Sequence, residues 1–360
     1  MPAAIHQFTA GFAWHDAISN EAALFRRIFR EWGYRSEIYC DPRNTSRDRI
    51  GDIRDIHNAT QEIRPEDLVL LHLSIGSIAN EVFPLLPCHK ALLYHNITPD
   101  AYFRFINPET AGHLRRGREQ TAALAGVATV NLADSAFNAA ELHEAGYQDV
   151  GVLPIVIDND LLMTKPNAQV ATRRKDGMHN IIFVGRCSPN KKIEDLIRTF
   201  AWYQKNITPL CRFTQIGSKA GTERYHAMLL AMCKELQVRN FHFTGSVSQS
   251  DLNAYYQSAD AFLCMSEHEG FCIPLLEAMA YDVPVVACSD AAVPETMDHA
   301  GIILTERRCD IAAEALHRVI TDHPLRIGVL AAQRARLDRY RQRDLPSELR
   351  SALQPVLPRL

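Results

Sequence analysis

Short apolar runs alternating with helical patterns occur twice in this chain of 360 residues, once before residue 158 and again after residue 179. In the first series LVLLHLS (68–74) and ALLYHN (91–96) are continuous apolar runs, the pattern of strands buried on both faces of a parallel sheet. SEIYC (36–40), AGVATVNL (125–132) and VGVLPIVI (150–157) read as further strands. Between them, Glu21–Trp32 places Ala22, Phe25, Ile28 and Phe29 at helical spacing, with Gly33 as a stop. Asp134 and Ser135 precede a helix over Ala136–Glu144. Strand, helix, strand in this rhythm predicts an α/β fold with mostly parallel sheets.

Residues 158–179 interrupt the rhythm. They are polar, mixed in charge and contain Pro166 and Gly177, which reads as a linker. The second series then runs through strands NIIFVG (180–185), CRFTQIG (211–217), NFHFTG (240–245), AFLCM (261–265) and VPVVAC (283–288). Helices are expected over Ile193–Gln204, Glu223–Leu236, Gln249–Gln257, Pro274–Tyr281 and Asp310–Val319. The expected organisation is an N-terminal Rossmann-like domain (1–160), a linker (161–179), a C-terminal Rossmann-like domain (180–325) and a helical tail (326–360) that packs back on the N-terminal domain.

Composition narrows the classes of partner. With 47% apolar and 22% charged residues the chain is far from the regime of disorder. A formal charge of −3 gives no global reason to expect nucleic acid or membrane. No apolar run reaches the length of a membrane-spanning helix, and MPAAIHQFTAGFAWHDA has no basic region followed by an apolar one, so no signal peptide is expected. Nine cysteines without a C-x-x-C pair suit a reduced, cytoplasmic protein lacking a structural zinc site.

The chemistry concentrates in SEHEGFCIPLLEAMAYDVPVVA (266–287), which follows a strand at the carboxyl edge where open parallel sheets bind ligands. Gly270 lets a backbone approach a ligand, Pro274 suits a first helical position, and Glu277 is expected in that helix's first turn. A helix start offers unpaired N–H groups to an anion, while Glu269 and Glu277 accept hydrogen bonds from hydroxyls. A ligand carrying both phosphates and hydroxyls fits. Read alone, Glu277 merely complements a helix dipole and Glu269 is a solvated loop residue.

The pattern EGF-x-x-P-L-L-E-A-M-A with VPVVA and Pro294-Glu295 resembles the retaining, nucleotide-sugar-dependent glycosyltransferases of family 4, among them bacterial polysaccharide and exopolysaccharide enzymes. The resemblance implies the GT-B fold, two Rossmann-like domains facing across a cleft, with the acceptor on the N-terminal side. It also covers NIIFVGRCSPNKKIEDLI, where Gly185-Arg186 and Lys191 correspond to the family's diphosphate clamp, with Lys192 adjacent as an alternative. Two fixed cations there stabilise a departing nucleoside diphosphate. In FTGSVSQSDL the backbone near Ser246 and Val247 would contact the base, and Phe271 follows the Glu269-Gly270 pair. The match is close over 180–305 and looser over 1–157.

From the same resemblance Glu269 and His95 are the expected catalytic residues, His95 facing the donor sugar. Arg186, Lys191, Glu277, Gly270, Phe271 and Val247 are the expected donor-binding set. Asp16, His15 and Asp100 are acceptor-side candidates. Asp16 equally suits a helix cap, and the first loop has Gly11 alone where the family often has Gly-Gly.

Three further features compete. Asp158-Asn159-Asp160 matches the metal-holding D-x-D of the other glycosyltransferase architecture but lies in the linker, so no metal or other cofactor is expected. Gly217-x3-Gly221 has the wrong spacing for a dinucleotide fingerprint. HLRRGRE (113–119) is a basic cluster that reads as a solvated helix face, or else as a contact for a lipid diphosphate or the inner face of a membrane. The expectation is transfer of a hexose, with mannose from GDP-mannose preferred, to a lipid-linked saccharide. The rivals are a nucleotide-sugar epimerase and a non-catalytic sugar-nucleotide-binding subunit.

Overall fold

The computed structural model describes residues 3–14, 16–157 and 159–359, which form two compact α/β units. The first comprises Met1–Ala101, Glu109–Val156 and Arg343–Leu360; the second comprises Tyr102–Pro108 and Ile157–Gln342.

The first unit is built on strands β1 (Ile5–Phe8), β2 (Ile38–Cys40), β3 (Arg54–Asp55), β4 (Leu68–Leu73), β5 (His89–Tyr94), β6 (Val130–Ala133) and β7 (Val150–Val152). They lie in the order β3-β2-β1-β4-β5-β6-β7, all parallel. β4 is buried at all six positions, His72 included, as its largely apolar sequence requires. The helix Ala17–Glu31 lays Phe25, Ile28 and Phe29 on this sheet, and Gly33 (φ 95°) turns the chain out of it.

Leu349, Leu353 and Val356 of the tail join the same core. Each buried leucine contributes about 1.5–3 kcal/mol. The Tyr34 hydroxyl donates to the Pro358 carbonyl at 2.7 Å, and Arg343 to the Pro154 carbonyl at 3.0 Å. The tail thus divides: the helix His323–Arg341 belongs to the second unit, and Leu345–Leu353 to the first.

The second unit carries β8 (His179–Val184), β9 (Cys211–Ile216), β10 (Phe241–Phe243), β11 (Ala261–Cys264), β12 (Val285–Cys288) and β13 (Ile302–Leu304) in the order β10-β9-β8-β11-β12-β13, again all parallel. The side chain of buried Gln333, from His323–Arg341, donates to the Val283 carbonyl and accepts from the Val285 N–H, both at 2.9 Å.

Residues 161–179, expected as a linker, cluster with the second unit instead. Asn253 donates to the carbonyls of Leu161 at 2.9 Å and Thr164 at 2.8 Å; Asn167 donates to Asp251 at 2.7 Å. These bonds satisfy a polar backbone that would otherwise remain solvated, and allow a short helix, Ala168–Arg173, to pack there. Of the D-x-D pattern, Asp158 lies outside the described residues.

The basic cluster belongs to the helix Pro108–Ala123. Arg115 faces Asp100 at 3.6 Å, Arg116 pairs with Glu81, and Arg118 binds Glu141 and the Ile97 carbonyl, both at 3.0 Å. Gly117 packs so close to Gly76 that a methyl group there would lie 2.6 Å from the Gly76 nitrogen. These arginines stitch the helix to its own unit.

Candidate active site

In both sheets the strand order reverses beside the first strand, between β1 and β4 and between β8 and β11. Loops leaving neighbouring strands diverge at such a point and open a crevice at the carboxyl edge.

At the β8/β11 crevice the chain leaves β8 through Gly185 and Arg186, makes one turn of 3-10 helix over Pro189–Lys191, and enters the helix Ile193–Asn206 through Lys192 at φ 50°. The chain leaving β11 carries Glu267–Cys272 into the helix Ile273–Ala280. Asn190, which the sequence reading passed over, joins these loops: its carbonyl accepts from the Glu267 N–H at 2.9 Å and its side chain donates to the His268 carbonyl at 3.1 Å. Lys191 Nζ then lies 2.5 Å from Glu269 Oε2, with side chains 18% and 10% exposed. Burial works against the Lys191 charge, but the Glu269 carboxylate outweighs it and holds the ammonium above its ordinary pKa. Lys192 turns instead to Glu194 at 3.3 Å and Glu267 at 3.6 Å.

Arg186 is exposed, and among the described residues its side chain makes a single hydrogen bond, to the Ala220 carbonyl at 3.3 Å. Its loop is held by Gly217, at φ 147°, where a methyl group would stand 2.1 Å from the Gly185 carbonyl oxygen. Gly217 therefore serves a loop crossing. Arg307 donates to the carbonyls of Met265 and Ser266, both at 3.1 Å, and fixes the start of the Glu269 loop. Gly270 is half-buried, Phe271 is buried against Tyr340 with ring centroids 6.1 Å apart, and Val247 is half-buried in the loop after β10.

Glu277 lies in the second turn of its helix. The helix begins at Ile273 with Cys272 as its left-handed cap, and no acidic residue occupies the first turn, so Glu277 is not a helix-dipole partner. Burial pushes its carboxyl pKa up, while a 2.7 Å bond from the Tyr256 hydroxyl pulls the other way. Tyr256 carries no motif signal; only its position in Gln249–Gln257 brings it to Glu277.

The β1/β4 crevice is different. His95 follows β5 as expected, but its imidazole is 1% exposed and sits beneath the surface. His95 Nε2 is 2.9 Å from His72 Nδ1, the two rings stacked, and His72 Nε2 is 2.9 Å from Gln7 Oε1. Asp134 approaches His95 Nδ1 at 3.5 Å and Glu21 approaches Nε2 at 3.6 Å. Burial disfavours the His95 charge, yet Asp134 and Glu21 together raise its pKa above the ordinary value. Burial raises that of Glu21 to about 7 and drives that of His72 well down. To touch a sugar, the His95 side chain would have to leave this network.

Two of the acceptor-side candidates, Asp16 and Asp100, fall among the described residues. Asp16 caps Ala17–Glu31, its Oδ2 accepting from the Ser19 N–H at 2.9 Å and hydroxyl at 2.6 Å. Asp100 opens a single 3-10 turn and faces Arg115. His15 lies outside the described residues.

Two triads among the described residues have metal-ligand composition, each with ligand atoms within 4.8 Å of one another: Glu21, His72 and His95, and Cys264, Glu269 and Cys272. In the second, the Lys191 ammonium already neutralises Glu269. In the first, the two imidazoles are within hydrogen-bond distance and the carboxyl is poised to hold a proton.

The class of protein is set by these two units: the fold is GT-B. Anabaena HepE, solved in complex with UDP and glucose, superposes with a TM-score of 0.72 over 98% of this chain and 99% of that one, at 15% identity. Sucrose-phosphate synthase from Thermosynechococcus elongatus does so with a TM-score of 0.75 over 98% of each chain, at 14% identity. Residues 165–340, the segment holding Arg186, Lys191, Glu269 and Glu277, match the family described as glycosyl transferases group 1. Among curated proteins, an uncharacterized glycosyltransferase of Methanocaldococcus jannaschii is 34% identical over 41% of this chain and 37% of its own length. The GDP-mannose-dependent alpha-(1-6)-phosphatidylinositol monomannoside mannosyltransferase of Mycobacterium tuberculosis is 25% identical over 51% and 49%. The O-antigen chain mannosyltransferase B of Escherichia coli is 29% identical over 39% and 37%. The matches thus span about a third to a half of the relatives' lengths. No helix among the described residues is long and apolar enough to cross a membrane.

Proposed function

We propose that this chain is a retaining hexosyltransferase of the family 4 type. It transfers mannose, in preference from GDP-mannose, to a hydroxyl of a lipid-linked saccharide in bacterial polysaccharide synthesis. The observation that carries the reading is the Lys191–Glu269 ion pair at the β8/β11 switch point, inside the group 1 domain. The names of the mannosyltransferase relatives support mannose, and HepE with UDP and glucose supports a nucleotide sugar as donor.

On this reading a donor diphosphate takes the Lys191 ammonium and the exposed Arg186 guanidinium, while sugar hydroxyls take the Glu269 carboxylate. The ion pair is exchanged for two charge-assisted contacts with one ligand, and the cations are ready to stabilise charge that develops on the leaving diphosphate. Glu277, positioned by Tyr256, accepts from the ribose hydroxyls. Gly270, Phe271 and Val247 line the donor through backbone and apolar contact. On the same reading the two protein cations do the work a divalent metal would otherwise do, so transfer should persist in a chelator.

The test is nucleotide release from GDP-mannose, UDP-glucose and UDP-N-acetylglucosamine, each with and without lipid-linked saccharide acceptors. Release from GDP-mannose in excess of the others, with the product's anomeric configuration unchanged, is expected. A changed sugar with no acceptor consumed would make the chain an epimerase.

A further inference from the structure

The first unit has a cavity of about 570 Å³ on the face of its edge strands, lined by His6, Ser36, Tyr39, Arg35, Arg54 and others. That volume lies in the range of small-molecule sites. The cavity is remote from the carboxyl edge of its sheet. Arg35 and Ser36 precede β2, and Arg54 is the first residue of β3, so two of the lining arginines enter at the opposite, amino edge. Register places His6, Tyr39 and Arg54 on one face, since Phe8 pairs with Tyr39 and Tyr39 with Arg54.

What distinguishes this cavity is a surplus of donors. Arg35 and Arg54 make no side-chain hydrogen bond or ion pair among the described residues. The Ser36 hydroxyl is buried without a partner, its residue 1% exposed. His6 Nδ1 accepts from the Glu37 N–H at 3.2 Å, which leaves the proton of the neutral ring on Nε2, where no nitrogen or oxygen partner exists among the described residues. The carboxylates lining the cavity are already engaged, Glu37 by Arg30 at 3.4 Å and Glu62 by the Tyr39 hydroxyl at 3.0 Å. A buried hydroxyl without a partner is uncommon, and guanidinium pairs match the oxygens of a phosphate. A ligand rich in acceptors and bearing negative charge would satisfy every one of these groups.

We propose that this cavity is a second ligand site that binds a phosphate group, free or carried on a small metabolite such as a sugar phosphate. Arg35 and Arg54 grip the phosphate, and His6 Nε2–H and the Ser36 hydroxyl complete its shell. The proposal does not depend on the transferase reading, because all of its residues belong to the first unit and the β8/β11 crevice is built by the second.

Calorimetric titration of the full chain at low ionic strength with inorganic phosphate, glucose 6-phosphate and glucose tests it. Saturable binding of a phosphate-bearing probe, with none of glucose, is expected. It should weaken at least tenfold in Arg35→Gln/Arg54→Gln and persist in Arg186→Ala/Lys191→Ala. Tighter binding of glucose 6-phosphate than of phosphate identifies a phosphorylated metabolite; equal binding identifies free phosphate. Should the double variant lose the native melting transition, Arg54→Gln and Ser36→Ala singly provide the comparison. Absence of binding by both phosphate probes, or binding abolished by the Arg186/Lys191 variant and untouched by the cavity variants, overturns the proposal.

Discussion

The two sheets share a strand order and each gathers charge at its switch point, yet one cluster is sealed and the other open. Around β1 and β4, Glu21, His72 and His95 have side chains no more than 1% exposed. Around β8 and β11, the Lys191 and Glu269 side chains stay 18% and 10% exposed and Arg186 is exposed. The same topology therefore builds a charged core in one unit and a binding edge in the other. Topology locates a crevice; the neighbours of each charge decide whether a ligand or the protein itself satisfies it.

The largest expected effect lies on the open side. Lys191→Ala should lower kcat about 10²–10³-fold, the scale of losing one fixed group that stabilises developing charge, and Glu269→Gln should do likewise. Steady-state transfer kinetics, with the fold checked by thermal melting, measure this. Full activity in either variant would move the chemistry elsewhere. Asn190→Ala should cost about 1–3 kcal/mol of stability by leaving its buried partners unsatisfied, and should raise KM for the donor as the two loops lose register. Denaturant unfolding and donor kinetics together distinguish this from a purely local change.

On the sealed side the expected signature is pH dependence. The Glu21 pKa, raised by burial to about 7, exceeds its unfolded value, so the folded state binds the proton more tightly. The contribution is most favourable below the ordinary carboxylate range and is lost as pH rises through about 7. His95, also raised, acts in the same direction. The Tm of the wild type relative to Glu21→Gln should therefore fall between pH 5 and pH 8, and a constant difference would contradict the buried network. The smallest effect should come from Arg116→Ala, which removes a half-exposed pair with Glu81 and should change stability by under about 0.5 kcal/mol.

Legibility in the sequence followed the same division. β4 and β5 are readable because each carries at least four consecutive apolar residues, Leu68–Leu71 and Ala91–Tyr94, whereas β1 (Ile5–Phe8) hides His6 and Gln7 in a buried strand, and β3 has only two residues. Lys191 and Glu269 were legible through the spacing of their motifs. Asn190, Tyr256, Gly217 and Arg307 were not, because each acts on residues distant in sequence. The strand end carrying His95 was correctly located, but the direction of its side chain depends on His72 and Glu21, which no local pattern connects to it. Glu277 was misplaced by a turn because the helix starts at Ile273, leaving Glu277 where Tyr256 can reach it.

The central claim is that the Lys191–Glu269 pair opens to receive a nucleotide-diphosphate sugar. It is tested most directly by GDP release from GDP-mannose in wild type, Lys191→Ala and Glu269→Gln, with the lipid-linked acceptor present. Acceptor-dependent release by the wild type and its loss in both variants is the predicted result. Equal release by all three proteins, or none by the wild type with any of the three donors, would contradict it.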